Sequence, residues 1–152
     1  MVTNRSAPPG TIVPILCYRD TKPAIEWLCR VFGFRESLRW GPDDNPDAEL
    51  SIGDGAIFVR GPRRPDGLTE WSLRPPFADQ ASHSVMVAVE DVDEHHRRAV
   101  AEGARVHREL RTYPVIGERQ YSVLDLDGHL WTFTRSVADV DPHDWAEVVE
   151  GR

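Results

Sequence analysis

The 152-residue sequence repeats one order of secondary-structure signals, and this repeat restricts the fold more than any other feature. In each half, an apolar strand ends at an acidic residue, a helix follows that a glycine ends, and three short strand patterns come next. The capping aspartates Asp20 and Asp91, and the terminating glycines Gly33 and Gly103, are each separated by about 70 residues. The sequence therefore predicts two βαβββ modules.

The repeat also sets the expected organisation of the chain, which is of the α+β class and forms one structural domain overall. We expect an N-terminal tail over residues 1–10, a first module over 11–60, a linker over 61–82, a second module over 83–136 and a C-terminal appendage over 137–152. After the opening strand within 11–20, the predicted strands are Phe34–Trp40, Ala48–Ile52, Ala56–Arg60, Ser84–Val89, Arg105–Leu110, Gln120–Leu124 and Leu130–Arg135.

Composition excludes several classes of function. A formal charge of −7 and a pI near 5.3 argue against a nucleic-acid-binding protein and against a polybasic membrane surface. No apolar run approaches the ~20 residues of a membrane helix, and the polar N-terminus does not resemble a signal peptide. Cys17 and Cys29 have no metal-binding spacing and fit small buried side chains in a reducing compartment. These features indicate a cytoplasmic protein.

Three short motifs carry a resemblance to a known family. They are Phe32-Gly33-Phe34 at the end of the first helix, Glu90-Asp91-Val92-Asp93 at the start of the second, and Gly117-Glu118-Arg119 leading to Asp125-Leu126-Asp127-Gly128-His129-Leu130-Trp131-Thr132-Phe133. In this order and spacing the chain resembles the vicinal oxygen chelate superfamily, which includes glyoxalase I, extradiol dioxygenases, fosfomycin-resistance enzymes and bleomycin-resistance binding proteins. The resemblance covers residues 11–136. It implies that the paired modules form a curved mixed-sheet cup and that the chain is a homodimer.

The resemblance also assigns four positions to metal ligands, usually His or Glu, because a divalent ion needs imidazole or carboxylate groups. Two lie seven residues before the capping aspartates, at Val13 and Ser84, and two lie four residues after the hairpin glycines, at Val59 and Thr132. None is a normal ligand, so the sequence predicts no metal and no cofactor. A shift of one residue would bring His83 to the position of Ser84, but a single histidine makes no metal site, and His83 better fits a hydrogen-bonded strand residue.

Strand alternation then predicts which residues line the cup. The lining consists of Val13, Ile15, Cys17, Ile57, Val59, Ser84, Met86, Ala88, Leu130, Thr132 and Thr134. Phe58, Trp131 and Phe133 alternate to the other face and are expected to pack beneath the helices. A mostly apolar lining with a few hydroxyl groups suits a ligand that has a large, partly aromatic body.

Glu49 has two possible orientations that depend on the neighbouring turn. A three-residue turn, Gly53-Asp54-Gly55, places Glu49 opposite Val59 and inside the cup, and symmetry with the second hairpin favours this form. An inward Glu49 could bind a ligand cation or act as a general base. A turn formed by Asp54-Gly55 alone directs Glu49 outward, as an exposed residue paired with Arg60.

Other aromatic and polar residues are candidates for the rim of the cup or for structural roles. The rim candidates are Trp40, Trp71, Tyr113, Tyr121, Arg119 and Gln120. Arg119 could instead pair with Glu118 or Asp125. We expect His96 on the apolar face of the second helix and His95 on its wet side, and we expect Asp125 and Asp127 to accept hydrogen bonds within their turn.

Three functions are compatible with these features. The favoured interpretation is a metal-free binding protein for a partly aromatic small molecule, such as an antibiotic or another natural product. The second is an enzyme of the same superfamily, a lyase, isomerase or dioxygenase, that uses either unrecognised metal ligands or Glu49 as a general base. The third is a scaffold that binds another protein. No nucleic acid or membrane partner is expected.

Overall fold

The computed structural model describes residues 2–4, 6–8, 10–62, 73–77 and 80–145. The first module contains β1 (Ile15–Cys17), α1 (Thr21–Trp27), a π-helical segment (Leu28–Phe32), β2 (Arg35–Trp40), β3 (Asp47–Ile52) and β4 (Gly55–Arg60). The second contains β5 (Ser84–Ala88), α2 (Val92–Ala101), β6 (Arg105–Tyr113), β7 (Glu118–Leu124) and β8 (Leu130–Ser136), and a 3₁₀ helix, Pro142–Trp145, follows. The predicted repeat of βαβββ modules is confirmed.

Each module forms its own four-stranded mixed sheet, and the two sheets have the same strand order. The orders are β1-β4-β3-β2 and β5-β8-β7-β6. In both, the first strand pairs in parallel with the last, and the other pairs are antiparallel. Neighbouring parallel strands need a crossover connection, which begins with α1 in the first module and with α2 in the second. The α+β class is therefore confirmed.

The contacts divide the chain into two compact units that do not follow the repeat. One unit comprises Met1–Ser82 together with Leu126–His129, and the other comprises His83–Asp125 with Leu130–Arg152. The turn between β7 and β8 thus makes its contacts in the first unit. There, the Asp127 carboxylate accepts a hydrogen bond from the Arg19 backbone N–H at 2.6 Å, and His129 Nε2 lies 2.7 Å from the Cys17 carbonyl oxygen. Two hydrogen bonds of the Asp127 side chain thus go to Arg19, whereas the sequence predicted hydrogen bonds within its own turn.

The start of α1 is capped by a residue from a distant loop. Asp20 occupies the N-cap position, but its side chain makes no capping hydrogen bond. Instead, Asn45 Oδ1 accepts hydrogen bonds from the Thr21 backbone N–H at 3.1 Å and from the Thr21 hydroxyl at 2.8 Å. The helical region ends at Gly33, whose φ of +80° suits glycine. The sequence thus predicts the ends of this region correctly but not the capping group.

Replacing Asn45 with alanine is expected to lower the free energy of unfolding by about 1 kcal/mol, because Thr21 loses its capping acceptor. Asn45→Asp keeps an acceptor oxygen and should cost less. Asp20→Ala serves as the control and should change stability by less than about 0.5 kcal/mol. Urea denaturation of the three variants measures these differences, and an Asp20→Ala effect larger than that of Asn45→Ala would contradict this account of the cap.

Helix α2 begins as predicted but presents a different histidine to the sheet. Asp91 Oδ1 accepts from the Glu94 backbone N–H at 2.9 Å. The buried residues of the helix are Val92, His95 and Ala99, so the expectation that His96 is the inward histidine is wrong. The inward stripe follows an i, i+3, i+7 spacing from the first helical residue, which selects position 95.

His95 is buried because a tyrosine satisfies its polar edge. Its Nδ1 lies 2.7 Å from the hydroxyl oxygen of Tyr121, and its ring centroid lies 3.9 Å from that of Phe133. Tyr121 is 0% exposed, and burial raises the pKa of its hydroxyl well above the usual range. The prediction that Tyr121 lies at the rim is therefore wrong, since its ring belongs to the core beneath α2.

Candidate functional site

In the first sheet, strand alternation separates a helix-covered face from a face turned away from α1. Cys29 of the helical region interacts electrostatically with Glu36 and Arg39, whose strand partners are Leu50 and Ala48. The helix-covered residues are Leu16, Ala48, Leu50, Ile57 and Val59, none more than 4% exposed. The opposite face, here named the first open face, carries Ile15, Leu38, Trp40, Glu49 and Phe58.

The predicted orientation of β4 is therefore wrong. Val59 is 0% exposed and pairs with Leu16 and Ala48 on the helix-covered face, whereas Phe58 pairs with Ile15 and Glu49 on the open face. The cause is the length of the preceding turn. Ile52 pairs with Gly55, which leaves a two-residue turn, whereas Leu124 pairs with Leu130 across a five-residue connection in the second module. Counting from the hairpin glycine thus gives different faces in the two modules.

Alternation in the second sheet agrees with the prediction. Trp131 and Phe133 are 0% exposed on the face that α2 covers, as expected. The opposite face, here named the second open face, carries Ser84, Met86, Ala88, Gln120, Ser122, Thr132 and Thr134. Met86 is 65% exposed. The predicted lining residues of β5 and β8 thus lie together on one face.

Glu49 lies at the centre of the first open face, where it pairs with Phe58 on β4 and with Leu38 on β2. The pairing predicted with Val59 is wrong. Glu49 is only 6% exposed, yet within the described ranges no hydrogen bond or ion pair to its carboxylate is found. Arg60, the partner expected for an outward Glu49, instead has its Nε 3.9 Å from Asp47 Oδ2. Glu49 is thus a buried acid without a described counter-charge.

Two aromatic rings lie on the same face of the sheet as this carboxylate. The Trp40 ring meets the Phe58 ring edge to face, with centroids 5.7 Å apart, and the Arg60 guanidinium carbon lies 5.4 Å from the Phe58 centroid. Ile15 and Leu38 are 41% and 42% exposed on the same face. The first open face therefore combines exposed apolar side chains, an aromatic pair and one acid, which can contact a flat apolar ligand and orient a polar group on it.

Three of the four hydroxyl groups on the second open face, those of Ser122, Thr132 and Thr134, are hydrogen-bonded within this sheet. Ser122 Oγ and Thr132 Oγ1 lie 2.9 Å apart. The Glu118 carboxylate accepts hydrogen bonds from the hydroxyls of Thr134 and Ser136. The Gln120 side chain, half-buried between these residues, has no hydrogen bond to any residue of the described segments. This face offers a ligand the exposed thioether of Met86, the amide of Gln120 and the hydroxyl of Ser84, which has no hydrogen bond to the described residues.

The remaining predicted rim residues lie in different environments. The Arg119 guanidinium binds the Asp93 carboxylate of α2, with N···O distances of 2.6–3.2 Å, so the prediction that it lies beside the ligand is wrong. This pair holds the pKa of Asp93 below its usual range. Tyr113 is half-buried beneath the Arg111 guanidinium, 4.3 Å from its ring centroid, and its hydroxyl finds no hydrogen-bond partner among the described residues. Trp71 lies outside those residues.

The positions that the resemblance assigns to metal ligands do not fit a divalent ion. Ile15 pairs with Phe58 as Met86 pairs with Thr132, so the counterpart of Thr132 in the first module is Phe58 rather than Val59. The side chains of Phe58, Val59 and Val13 have no atom that could coordinate a metal ion. The Thr132 hydroxyl is hydrogen-bonded to that of Ser122. Ser84 pairs with Leu130 without the shift that would bring His83 inward.

Two further features concern the described segments as a whole. No group of three or more His, Cys, Asp or Glu side chains in those segments could hold a metal ion. Of the helices described, none has the length and hydropathy to cross a lipid bilayer.

Comparisons with known proteins place these features in a family. A family model described as the Glyoxalase/Bleomycin resistance protein/Dioxygenase superfamily matches residues 11–133. The solved structure of TioX from Micromonospora sp. ML1 is 38% identical, covers 84% of this chain and 98% of its own, and superposes with a TM-score of 0.66. No curated protein sequence matches the chain.

More distant structures share the fold alone. FosX, a fosfomycin resistance protein from Listeria monocytogenes, is 16% identical over 90% of this chain and 97% of its own, with a TM-score of 0.62. A glyoxalase/bleomycin resistance protein from Streptomyces sp. CB03234 is 15% identical over 82% and 100%, with a TM-score of 0.59. The family model spans most of the chain, and the repeated βαβββ fold agrees with it. The chain belongs to the glyoxalase/bleomycin resistance protein/dioxygenase superfamily.

Proposed function

We propose that the protein binds a small molecule with an aromatic body and does so without a metal ion. The observation that carries this proposal is the first open face, where Trp40 and Phe58 form an aromatic pair bordered by the exposed side chains of Ile15 and Leu38. Soluble proteins rarely leave such apolar surface uncovered unless it binds something. The metal-ligand positions hold apolar side chains in the first module and hydroxyl side chains in the second, with no imidazole or carboxylate, which favours binding by packing and hydrogen bonding over binding through a metal.

The second open face supports the same class of ligand. Met86 is 65% exposed, and a methionine side chain adapts its shape to flat or irregular apolar groups. Gln120 offers both a donor and an acceptor for a polar substituent. FosX, which shares only the fold with this chain, is a fosfomycin resistance protein, and by analogy we propose an antibiotic or another natural product as the ligand. We also propose a homodimer, as in many members of the superfamily, which analytical ultracentrifugation would test.

The metal part of the proposal is tested by elemental mass spectrometry of the purified protein after dialysis against Ni, Zn, Mn or Fe(II). We expect less than about a tenth of an equivalent of each ion, because the assigned positions provide no imidazole or carboxylate ligand. One tightly held ion per chain that a chelator removes would overturn this part. The measurement does not depend on knowing the physiological ligand.

The binding part is tested by tryptophan-fluorescence titration with a panel of aromatic natural products. We expect a saturable change in emission on binding, because Trp40 lies on the proposed surface. The Trp40→Phe variant keeps an aromatic ring and should retain affinity, measured by calorimetry, while much of the fluorescence change is lost. Absence of saturable binding across the panel would contradict the proposal.

A second candidate function is metal-free catalysis with Glu49 as a general base. The observation that favours it is the lack of a described partner for a carboxylate that is only 6% exposed. A base in such a setting can take a proton from a bound substrate without first breaking an ion pair. A screen for lyase and isomerase activity that the Glu49→Gln variant abolishes, with ligand affinity retained, would favour this function over binding alone.

A further inference from the structure

We infer that Glu49, Phe58 and Trp40 form a subsite for a protonated amine carried on an aromatic ligand. This inference rests on the proposed binding function and adds to it the charge of the ligand. The proposed contacts are an ion pair from the ammonium to the Glu49 carboxylate and stacking of the ligand's aromatic part on the neighbouring rings.

The first argument is that the described residues provide no hydrogen-bond donor or counter-charge for the Glu49 carboxylate. The Glu49 oxygens are not among the fully buried, unbonded side-chain atoms, so they retain some contact with solvent, but a largely buried carboxylate is stabilised further by hydrogen bonds or a counter-charge. Asp125, another buried acid, has this compensation, because Trp131 Nε1–H donates to its carboxylate at 2.9 Å. Glu49 is 6% exposed, and the residues described here supply it with no comparable donor. A ligand that brings N–H donors would provide the missing interaction.

The second argument is the charge of the surrounding face. Asp47 and Arg60 each lie one residue beyond the Ala48–Val59 pair and carry opposite charges, with Arg60 Nε 3.9 Å from Asp47 Oδ2. Glu49 lies two residues from Asp47 on the same side of β3, so its charge is the one left over among these three groups. A cation therefore fits this position, and an anion would be repelled.

The third argument is the position of the rings. Phe58 lies directly opposite Glu49 in the strand pairing, and Trp40 meets Phe58 with centroids 5.7 Å apart. A cation within about 6 Å of an aromatic centroid is attracted by the ring as well as by the acid. The Arg60 guanidinium lies 5.4 Å from the Phe58 centroid, so this ring already takes part in one cation–π contact within the folded chain.

The test uses three probes that share one ring system and differ in charge: 2-naphthylmethylammonium, 2-naphthylmethanol and 2-naphthoate. Affinities are measured by calorimetry with the full chain at pH 7. We expect the ammonium to bind about ten-fold more tightly than the alcohol and the carboxylate to bind more weakly than both. In the Glu49→Gln variant, which has nearly the same shape, the preference for the ammonium should fall below about two-fold.

A matched control separates Glu49 from the general negative charge of the chain. Glu36→Gln removes the same charge from the same sheet, but Glu36 pairs with Leu50 on the helix-covered face and binds Arg39. This variant should keep the ten-fold preference of the wild type. An equal loss of preference in both variants would overturn the inference and attribute the effect to net charge.

The other outcomes separate this inference from the proposed function. Saturable binding of all three probes with equal affinity would overturn the inference and leave the aromatic binding function standing. Absence of binding by every probe would count against both the proposed function and the inference. If Glu49→Gln fails to fold, the order of the three probes on the wild-type protein decides, since a carboxylate subsite requires the ammonium to rank first.

Discussion

Replacing Asp125 with alanine is expected to lower the free energy of unfolding by about 2–3 kcal/mol. Asp125 is 1% exposed, and its carboxylate accepts the indole N–H of Trp131, which is 0% exposed. Alanine leaves that N–H buried without its acceptor, and hydrogen bonds to charged groups contribute about 1.5–3 kcal/mol. Urea denaturation followed by circular dichroism would measure the change.

The Asp125→Asn variant is the matched control, because its amide oxygen can still accept from the Trp131 indole. We expect it to retain most of the stability that alanine loses. A second comparison is Trp131→Phe, which removes the donor and should reduce the additional cost of Asp125→Ala in the double variant. Equal effects of the asparagine and alanine substitutions would show that the acceptor oxygen is not what stabilises this position.

Replacing Gly117 with alanine is expected to cost about 3 kcal/mol of stability. Gly117 has a φ of +66°, which costs a residue with a side chain about 1–2 kcal/mol. A Cβ at this position would also overlap the carbonyl oxygen of Ala138. The segment after β8 would have to move, although the backbone N–H groups of Val137 and Ala138 now donate to the Gly117 carbonyl at 2.8 and 3.2 Å.

Gly103→Ala separates the two causes in this prediction. Gly103 has a φ of +82°, and, apart from its two chain neighbours, the described residues place no heavy atom within 4 Å of its hypothetical Cβ. This variant should therefore show the conformational cost alone, about 1–2 kcal/mol. Thermal and urea unfolding of both variants would give the difference, and equal losses would mean that the contact with Ala138 has no energetic consequence.

The architecture could be predicted because its signals are local in the sequence. Apolar strands, capping aspartates and terminating glycines recur in one order, and Gly33 and Gly103 both adopt the positive φ that helix ends favour. Such signals depend on the backbone conformation of a few adjacent residues, so they survive without knowledge of tertiary contacts. The repeat then extended the assignment from one half of the chain to the other.

The facing of β4 could not be predicted because it depends on the number of residues in a turn. An asparagine or glycine signal marks a hairpin but does not fix how many residues the strands leave unpaired, and one residue of difference reverses every side chain. The symmetry argument that placed Glu49 opposite Val59 assumed equal turns in the two modules. Glu49 nevertheless lies on the open face, where it pairs with Phe58 instead of Val59.

The hydrogen-bond partners of polar and charged residues could also not be predicted from the sequence. Arg119 binds Asp93 and Asn45 caps Thr21, and both pairs join residues more than twenty positions apart. Periodicity shows which face of an element is apolar but carries no information about which charges meet across elements. The same limit applies to His95, whose burial follows from the hydroxyl of Tyr121 rather than from any property of helix α2 alone.

The turn Leu126–His129 belongs by its contacts to the first unit, although the chain reaches it only after most of the second repeat. A chain truncated after residue 82 would therefore lack the carboxylate that binds the Arg19 N–H and the imidazole beside the Cys17 carbonyl. The repeat boundary is thus not a boundary at which the gene can be cut into two autonomous halves. Duplication of an ancestral module, if it produced this chain, was followed by a change of contacts that makes the first half dependent on a turn of the second.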